Sequence, residues 1–499
     1  MKQFALDQFD YHVICDGAVT DTAVTFEKSD HTLSVFLTAE TDRPQFVTLN
    51  WRFKTEENLF VLGDIWERSY GNLCFLKLSE TNRPMPWYFA ATNKTETYCF
   101  GVKTQPNAFV CFTYDADGIT ASIDCRNGGG GVKLAGRTVK LCTFVFAHYD
   151  LPPFDSLCAY CRTLCEHPLL PKEKIYGGND WYYAYGDSSY AQIVRDATLQ
   201  AELAEGIPNR PFMVIDDGWE IDGFLGPYEP NEKFGDMKAL AEEIKSLGVR
   251  PGIWARLLDN LSPDITDDMR ILRGGERIYL DPTHARVRSL LRSYIEKIRS
   301  WGFELLKHDF STHDLFGDFG GQLTDSITNY TDWHFADETK TNAEITLDFY
   351  RLIRDACGDM LILGCNTVSH LCAGLVEINR IGDDTSGREW AQTRKMGVNT
   401  LAFRLAQNRA FYIVDADCIG ILGDNIPWEK NRQWLDVLSK SDTALFASCG
   451  VLNDVQKTDM KNAFHEIQKN HRTQPLDIYE NLTPYQWEVD GRIVTYDWD

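Results

Sequence analysis

The feature that most constrains the fold is an alternation of strand-like and helix-like stretches, which runs from about residue 171 to about residue 470. Short apolar runs such as PFMVIDDGW and VRPGIWARLL are each followed by an amphipathic stretch such as GDMKALAEEIKSLG or ARVRSLLRSYIEKIRSWG. Repeated units of this kind predict a parallel sheet covered by helices. About eight units, with no glycine-rich phosphate fingerprint after the first strand, favour a closed (β/α)8 TIM barrel over an open sheet.

The two flanks of this region have the pattern of β-structure. The first 170 residues contain short alternating runs, among them HTLSVFLTAE and AFVCFTYDA, and CRNGGGGVKL has the composition of a hairpin turn. We predict a β-sandwich over residues 1–170, a catalytic (β/α)8 barrel over residues 171–470 and a short C-terminal β-region over residues 471–499. A chain of 499 residues is long enough for such a multidomain β and α/β arrangement.

Composition and charge narrow the possible partners and the location. With 50 basic and 73 acidic side chains the formal net charge is −23, so nucleic acids and anionic membrane surfaces are disfavoured. The first residues, MKQFALDQFDYHVICDG, lack the apolar stretch of a secretory signal, and no apolar run approaches the length that spans a bilayer. The 14 cysteines lack paired zinc-ligand spacing, which favours reduced thiols and a cytoplasmic protein.

Polar and aromatic residues follow seven successive predicted strands. In a (β/α)8 barrel the active site lies at the C-terminal ends of the strands, so these residues would surround one pocket. A solvated rim would also be polar, but charged, aromatic or amide groups on seven successive ends favour a functional site. The residues at these ends are Trp181, Asp216, Asp217, Trp254, Lys307, Asp309, Cys365, Asn366, Arg380, Asp383, Asp384, Asp415 and Asp417.

The fourth of these strands, FELLKHDF, ends in two charged residues of opposite sign. Side chains at positions i and i+2 of a strand share a face, so Lys307 and Asp309 point the same way and His308 points the other way. The pair is compatible with a salt bridge at a strand end. It also suits a glycosidase, in which the nucleophilic carboxylate has to stay ionised and a neighbouring cation lowers its pKa.

Glycoside hydrolysis also needs a second carboxyl group that donates a proton. The segment RIGDDTS offers two adjacent candidates, Asp383 and Asp384, and spacing alone does not decide between them. Burial or a nearby carboxylate would keep such an acid protonated near neutral pH. The rings of Trp181, Trp219 and Trp254 could form pocket walls, although Trp219 is equally compatible with the core.

The chain resembles the α-galactosidases (melibiases) of glycoside hydrolase family 36 in five ordered segments, VIDDGW, PGIW, LLKHDF, LILGCN and RIGDDTSGREW. A sixth, VDADC, is similar to the family's Asp-Pro-Asp-containing segment, with Ala416 in place of proline. The resemblance implies an N-terminal β-sandwich, a TIM barrel and a retaining, two-step hydrolysis of terminal α-linked galactose. It implies a carbohydrate partner, a possible homo-oligomer, and neither a cofactor nor a metal.

The resemblance also implies roles for the matched residues. Asp309 matches the nucleophile that forms the galactosyl-enzyme, and Asp384, four residues after Arg380, matches the general acid/base. Asp216 and Asp217 match the pair that holds the O4 and O6 hydroxyls of galactose. The other matched residues are expected to bind hydroxyls or to wall the pocket: Lys307, Arg380, Trp254, Cys365, Asn366 and Trp181.

Three alternatives use the same residues differently. The same mechanism could act on α-N-acetylgalactosaminides or β-L-arabinopyranosides, according to the pocket at the sugar 2-position. A metal-dependent hydrolase would draw on His308, Asp309, His313 and Asp314, but the sequence has neither a His-x-His after the first strand nor an HExxH motif. A non-catalytic sugar-binding protein would have lost a carboxylate, and both are present. We predict that His308 is a hydrogen-bonded structural histidine facing the helix layer.

Overall fold

The computed structural model describes residues 4–56, 58–80, 83–221, 228–423 and 425–499. Among the described residues, the N-terminal region contains twelve strands: β1 (Asp10–Cys15), β2 (Ala23–Ser29), β3 (Thr32–Thr38), β4 (Pro44–Arg52), β5 (Phe60–Gly63), β6 (Leu76–Lys77), β7 (Met85–Pro86), β8 (Tyr88–Thr92), β9 (Thr97–Val102), β10 (Phe109–Asp115), β11 (Gly118–Asp124) and β12 (Thr138–Tyr149). They form two antiparallel sheets, with the orders β1-β4-β11-β10-β7 and β2-β3-β12-β9-β8-β5-β6.

The period-2 pattern of the sequence decides which face of each sheet is buried. In β4 the alternate residues Val47, Leu49 and Trp51 are buried, and their neighbours are partly exposed. The ring of Trp51 lies 5.4 Å from that of Phe144 in β12, which belongs to the other sheet. The two sheets therefore pack face to face, as in a β-sandwich.

A second group of strands forms one parallel sheet of nine, with the order β21-β20-β19-β18-β15-β14-β13-β23-β22. Its nine strands are β13 (Tyr176–Asn179), β14 (Phe212–Ile215), β15 (Arg250–Arg256), β18 (Leu305–Asp309), β19 (Leu361–Gly364), β20 (Ile378–Arg380), β21 (Ile413–Asp415), β22 (Ile419–Ile421) and β23 (Leu445–Cys449). A separate antiparallel hairpin, β16 (Arg270–Arg273) and β17 (Glu276–Leu280), is inserted after β15. The sandwich and the parallel sheet that were predicted are thereby confirmed.

Closure of the parallel sheet into a (β/α)8 barrel remains a prediction. The two outer strands, β21 and β22, are consecutive in the chain. The N–H of Ala444, directly before β23, donates to the carbonyl oxygen of Val414 in β21 at 2.9 Å. We refer to this part as the barrel domain.

Helices connect the strands: α1 (Pro153–Leu164), α2 (Trp181–Ala184), α3 (Tyr190–Leu203), α4 (Met237–Ser246), α5 (Ala285–Ser300), α6 (Ser311–Phe316), α7 (Asn342–Cys357), α8 (Ser369–Cys372), α9 (Trp390–Gln392), α10 (Thr400–Arg404), α11 (Trp428–Ser439) and α12 (Asp454–Glu466). In α5 the buried residues Val287, Leu291, Ile295 and Ile298 recur every three or four positions, so one apolar stripe faces the sheet. No helix in the described ranges has the length and apolar character needed to cross a membrane.

The segment after β5 joins the sandwich to the barrel domain. The N–H of Ser69 donates to the carbonyl oxygen of Ile381 at 2.7 Å, and the N–H of Asp383 donates to the carbonyl oxygen of Ser69 at 2.8 Å. This parallel pairing extends the end of β20. Close by, the buried guanidinium of Arg404 in α10 pairs with Asp64 of the sandwich, Nε to Oδ1, at 2.9 Å.

The last strands, β24 (Thr473–Pro475), β25 (Gln486–Val489) and β26 (Arg492–Thr495), form a three-stranded antiparallel sheet. The predicted domain limits, at residues 170 and 470, remain predictions. In the structure the last sandwich strand ends at Tyr149, the first barrel strand begins at Tyr176, and α1 lies between them.

Candidate active site

The C-terminal ends of the parallel strands surround a pocket of about 380 Å³. Pockets that bind small molecules have volumes of about 300–1,000 Å³. All ten residues proposed from the sequence line it: Trp181, Asp216, Asp217, Trp254, Lys307, Asp309, Cys365, Asn366, Arg380 and Asp384. Their roles are still proposals, but their side chains lie around one cavity.

Asp309, the last residue of β18, has a buried carboxylate held by directed hydrogen bonds. Oδ1 accepts the next backbone N–H (2.7 Å) and the side-chain amide of Asn366 (2.5 Å), and Oδ2 accepts Nε1 of Trp254 (3.1 Å). Burial alone would raise the pKa of Asp309, but the charges of Lys307 and Arg68 and these side-chain hydrogen bonds outweigh it and hold the pKa below its usual value. The carboxylate is therefore ionised, and Oδ2 is the less occupied oxygen.

Lys307 lies on the same face of β18 as Asp309, but its ammonium binds another carboxylate. Nζ lies 2.7 Å from Oδ2 of Asp216, which also accepts the side-chain amide of Asn179 at 2.6 Å. Burial would lower the pKa of Lys307, but the charge of Asp216 outweighs it and the pKa lies well above its usual value. As predicted, the charge of Lys307 lowers the pKa of Asp309, but it acts through space, because the ammonium itself binds Asp216.

Asp217, the residue after Asp216, offers an open hydrogen-bond acceptor. Its Oδ1 is buried and has no hydrogen-bond partner among the residues that the structure describes. Burial, together with the nearby charges of Asp216 and Asp309, raises the pKa of Asp217 to about 6. Because buried polar atoms are almost always paired, this oxygen is well placed to accept a hydrogen bond from a ligand hydroxyl.

Asp384 stands at the pocket mouth between two arginines. Its Oδ1 lies 3.0 Å from Nη2 of Arg380 and 3.3 Å from Nη1 of Arg68, so both guanidinium groups bind one oxygen. Its side chain is 42% exposed, so the burial expected of the proton donor is not found. The neighbouring Asp383 binds Nη2 of Arg68 at 3.0 Å and is not among the lining residues. Asp384, rather than Asp383, therefore presents its carboxyl group to the pocket.

No protein-family model matches the sequence, and no curated protein matches it either. Solved structures do match the fold. An α-galactosidase from Thermus thermophilus, in complex with p-nitrophenyl α-D-galactopyranoside, has a TM-score of 0.63 at 17% identity over 97% of each chain. The chain shares the fold of α-galactosidases. A family 36 α-galactosidase variant from Geobacillus stearothermophilus, in complex with stachyose, has a TM-score of 0.62 at 14% identity, over 97% of this chain and 78% of that one. The family 36 resemblance drawn from the motifs is confirmed at the level of the fold.

A related architecture also serves an enzyme that acts on another sugar. A family 31 dextranase variant from Flavobacterium johnsoniae, in complex with isomaltotriose, has a TM-score of 0.55 at 10% identity, over 89% of this chain and 60% of that one. The fold by itself therefore does not select the sugar, and the inference about substrate has to come from the pocket.

The sequence prediction missed Arg68, which lines the pocket but belongs to the sandwich. It follows β5 in the segment WERSY, whose chain pairs with the end of β20. Its partner Asp384 lies 316 positions further along the chain. No local pattern links positions so far apart, and the acidic and aromatic neighbours Trp66 and Glu67 were the one unusual signal in that loop.

The two carboxylates expected at the seventh strand end, Asp415 and Asp417, have different surroundings in the structure. Asp417, with φ of +78°, lines the pocket and its Oδ2 lies 2.7 Å from Nη2 of Arg380. Its Oδ2 also accepts the N–H of Thr385 at 2.6 Å. Oδ1 of Asp415 instead accepts the N–H of Asp417 at 2.9 Å. Asp417, in a left-handed turn, therefore faces the pocket, and Asp415 supports that turn.

The structure corrects one further expectation, on His308, and decides between the two alternatives left open for Trp219. His308 faces the helix layer as predicted, with its ring 5.9 Å from Phe349 and 5.8 Å from Tyr350, but neither ring nitrogen has a hydrogen-bond partner in the described part of the chain. The expected hydrogen bond is wrong, and burial lowers the pKa of His308 to about 4. Trp219 is fully buried and donates from Nε1 to the carbonyl oxygen of Trp254 at 2.9 Å, so it belongs to the core.

The four residues that a metal-dependent hydrolase would use do not converge on one point, although Nδ1 of His313 lies 3.2 Å from Oδ1 of Asp314. His308 points away from the pocket, the ring of His313 stacks on Phe319 at 4.2 Å, and Asp314 pairs with Arg256 at 2.7 Å. Within the described residues, the one group of side chains with metal-ligand spacing lies on the sandwich: Glu96, His148 and Asp150.

Proposed function

We propose that the chain is a glycoside hydrolase that removes terminal α-linked galactose from oligosaccharides or glycoconjugates with retention of configuration. The observation that supports this most is the presence of two differently placed carboxyl groups in one pocket. Asp309 is buried and ionised, and Asp384 is exposed at the mouth. A retaining glycosidase needs one ionised nucleophile and one group that exchanges protons with the leaving group and with water.

In the first step, Oδ2 of Asp309 attacks C1 of the galactoside on the side opposite to the leaving group. The bond from C1 to the leaving oxygen breaks, and that oxygen keeps the electron pair and takes the proton of Asp384. The products are a galactosyl ester of Asp309 and a free alcohol. The hydrogen bonds from Asn366 and Trp254 fix the carboxylate in one orientation, which lowers the entropic part of the barrier.

In the second step, a water molecule gives a proton to the carboxylate of Asp384 and attacks C1. The bond between C1 and Asp309 breaks, and its electron pair returns to the carboxylate. Two inversions leave the product in the α configuration. Arg68 and Arg380, both on Oδ1, stabilise the negative charge that Asp384 carries between the steps, and Oδ2 is left for the proton.

The pair Asp216 and Asp217 supports galactose as the sugar. Lys307 and Asn179 hold Asp216, and Asp217 keeps an unpaired buried oxygen. The axial O4 of galactose can donate to this pair, whereas the equatorial O4 of glucose points elsewhere. Recognition of a donor by a buried acceptor discriminates strongly, because a sugar without that donor leaves the acceptor unpaired.

The test is hydrolysis of four p-nitrophenyl glycosides: the α-galactoside, the α-N-acetylgalactosaminide, the α-glucoside and the β-L-arabinopyranoside. We expect release from the α-galactoside, and a loss of about 10³-fold or more in kcat for Asp309→Ala and for Asp384→Ala. Azide should restore turnover, with β-galactosyl azide from Asp309→Ala and α-galactosyl azide from Asp384→Ala.

Asp383→Ala is the matched control, because Asp383 shares Arg68 with Asp384 but does not line the pocket. It should retain turnover and show no azide product. Preference for the N-acetyl sugar or for the arabinoside would keep the mechanism and change the substrate. No release from any glycoside by folded protein would reject the proposal.

A further inference from the structure

A third carboxyl group, Asp180, lies behind the pair Asp216 and Asp217 and takes no part in the mechanism above. Asp180 connects β13 to α2 and is almost fully buried. Its Oδ1 accepts the backbone N–H of Asp216 at 2.6 Å, and its Oδ2 accepts the hydroxyl of Ser188 at 2.5 Å. Asp180 therefore holds the backbone at the point where β14 enters the pocket.

The charges around Asp180 are unbalanced. Asp216 faces it from the end of β14, and the ammonium of Lys307 binds Asp216 rather than Asp180. On the side of its own segment stands Tyr183, whose hydroxyl donates to Asp196 of α3. Among the ion pairs of the described residues, none involves Asp180. Two buried carboxyl groups, Asp180 and Asp216, thus lie close together with one ammonium bound to the second of them, in a site of low dielectric constant.

Burial, together with the charge of Asp216, raises the pKa of Asp180 to about 7. Around neutral pH the group therefore exchanges a proton. In the protonated form the Oδ2 hydroxyl would donate to Ser188, while Oδ1 still accepts the N–H of Asp216. The hydrogen bonds of Asp180 are therefore compatible with its protonated and its ionised form. The ionised form places a second negative charge beside Asp216, and the protonated form does not.

We propose that Asp180 is a positioning residue for Asp216. While Asp180 carries a proton, Asp216 stays bound to Lys307, and the pair Asp216 and Asp217 can bind galactose. Loss of this proton weakens galactose binding. Asp180 accepts a hydrogen bond from the backbone N–H of Asp216, so the two carboxyl groups stay close together. When Asp180 is ionised, it repels the carboxylate of Asp216 and weakens the contact of that carboxylate with Lys307. This inference rests on the proposed function, because it assigns the pair Asp216 and Asp217 to the sugar.

The test is the affinity for D-galactose between pH 6.5 and pH 8.5, measured by tryptophan fluorescence with Trp181 and Trp254 in the pocket. For the unaltered protein we expect the Kd to rise about fivefold or more over this range, because binding favours the protonated form. Asp180→Asn is neutral at every pH and keeps both hydrogen bonds, so its Kd should stay constant. Asp180→Ala, which removes the support of Asp216, should bind weakly at every pH.

Asp196→Asn is the matched control, since Asp196 is a nearby carboxyl group that bonds Tyr183 rather than Asp216. It should keep the rise in Kd. The same rise in Asp180→Asn, or no rise in the unaltered protein, would overturn the positioning role.

A second measurement needs no sugar and separates this proposal from the proposed function. The unfolded value of an aspartate pKa is about 3.9, so a group with a raised folded pKa takes up a proton on folding and makes the protein less stable as pH rises from about 4 to 7. The free energy of unfolding in urea should therefore fall less steeply over this range for Asp180→Asn. Equal slopes would show that Asp180 holds no proton, whether or not the protein binds galactose.

Discussion

The ammonium of Lys307 lies 2.7 Å from Oδ2 of Asp216, and this contact connects the strand of the proposed nucleophile to the proposed sugar-recognition pair. One buried cation thereby acts on two functions. It neutralises Asp216 directly, and its charge helps to hold the pKa of Asp309 below its usual value against the effect of burial. Sugar binding and nucleophile ionisation should therefore respond together when this residue changes.

Lys307→Met should raise KM and lower kcat for p-nitrophenyl α-galactoside. It leaves Asp216 buried without its cation and removes a charge that helps to keep Asp309 ionised, so kcat/KM should fall about 100-fold or more. Lys245→Met is the control, because Lys245 pairs with Glu304 on the surface at 3.8 Å. A loss confined to KM would mean that Lys307 does not influence Asp309.

Arg68→Met should lower kcat about tenfold or more while KM changes little, because one of two guanidinium groups on Asp384 is lost and the charge formed in the first step is less stabilised. Steady-state kinetics on the same galactoside measures this. The matched control is Arg43→Met, which removes another contact between sandwich and barrel domain, the pair with Glu338. If both variants lowered kcat equally, Arg68 would act only as a contact between the two domains and not on Asp384.

His308→Leu should flatten the loss of stability in acid. The pKa of His308 is lowered from 6.5 to about 4, so the unfolded state takes up a proton first and stability is lost as pH falls from 6.5 to 4. Removing the imidazole should recover up to about 3 kcal/mol of this loss, measured by urea unfolding at pH 7 and pH 4. The exposed His12 provides the control variant, His12→Leu, whose pH dependence should match that of the unaltered protein.

Arg404→Met should lower the free energy of unfolding by about 3–5 kcal/mol, because Asp64 is left buried without its guanidinium. Both side chains of this pair are almost fully buried between sandwich and barrel domain. Urea unfolding followed by circular dichroism measures the change. Arg351→Met, on the half-exposed pair with Asp348, should cost at most about 1 kcal/mol. A similar small cost for Arg404→Met would argue against the buried pair as a stabilising contact.

The sequence predicted the features that follow from local rules. Alternation along a strand placed Lys307 and Asp309 on one face and His308 on the other, and the order of β–α units placed strand ends around one pocket. The family resemblance then separated Asp384 from Asp383. Each of these inferences uses neighbours in the sequence or an ordered set of motifs.

The features that escaped prediction depend on packing between distant parts of the chain. Arg68 reaches Asp384 only because a sandwich loop pairs with β20. Lys307 has a long, flexible side chain, and its ammonium reaches past β15, the strand between β18 and β14, to bind Asp216 rather than Asp309. Which of Asp415 and Asp417 faces the pocket depends on the backbone angle φ of Asp417, +78°, which the residue type does not dictate.

The pairing of Ser69 with the chain beside Gly382 makes the sandwich part of the rim of the pocket. A gene rearrangement that separated the two regions would remove Arg68 from the pocket. It would also remove the segment that pairs with the end of β20. Replacing either region by an unrelated domain would therefore leave the pocket incomplete. We expect the two to have been inherited as one unit, and a barrel domain produced alone to lack a finished pocket.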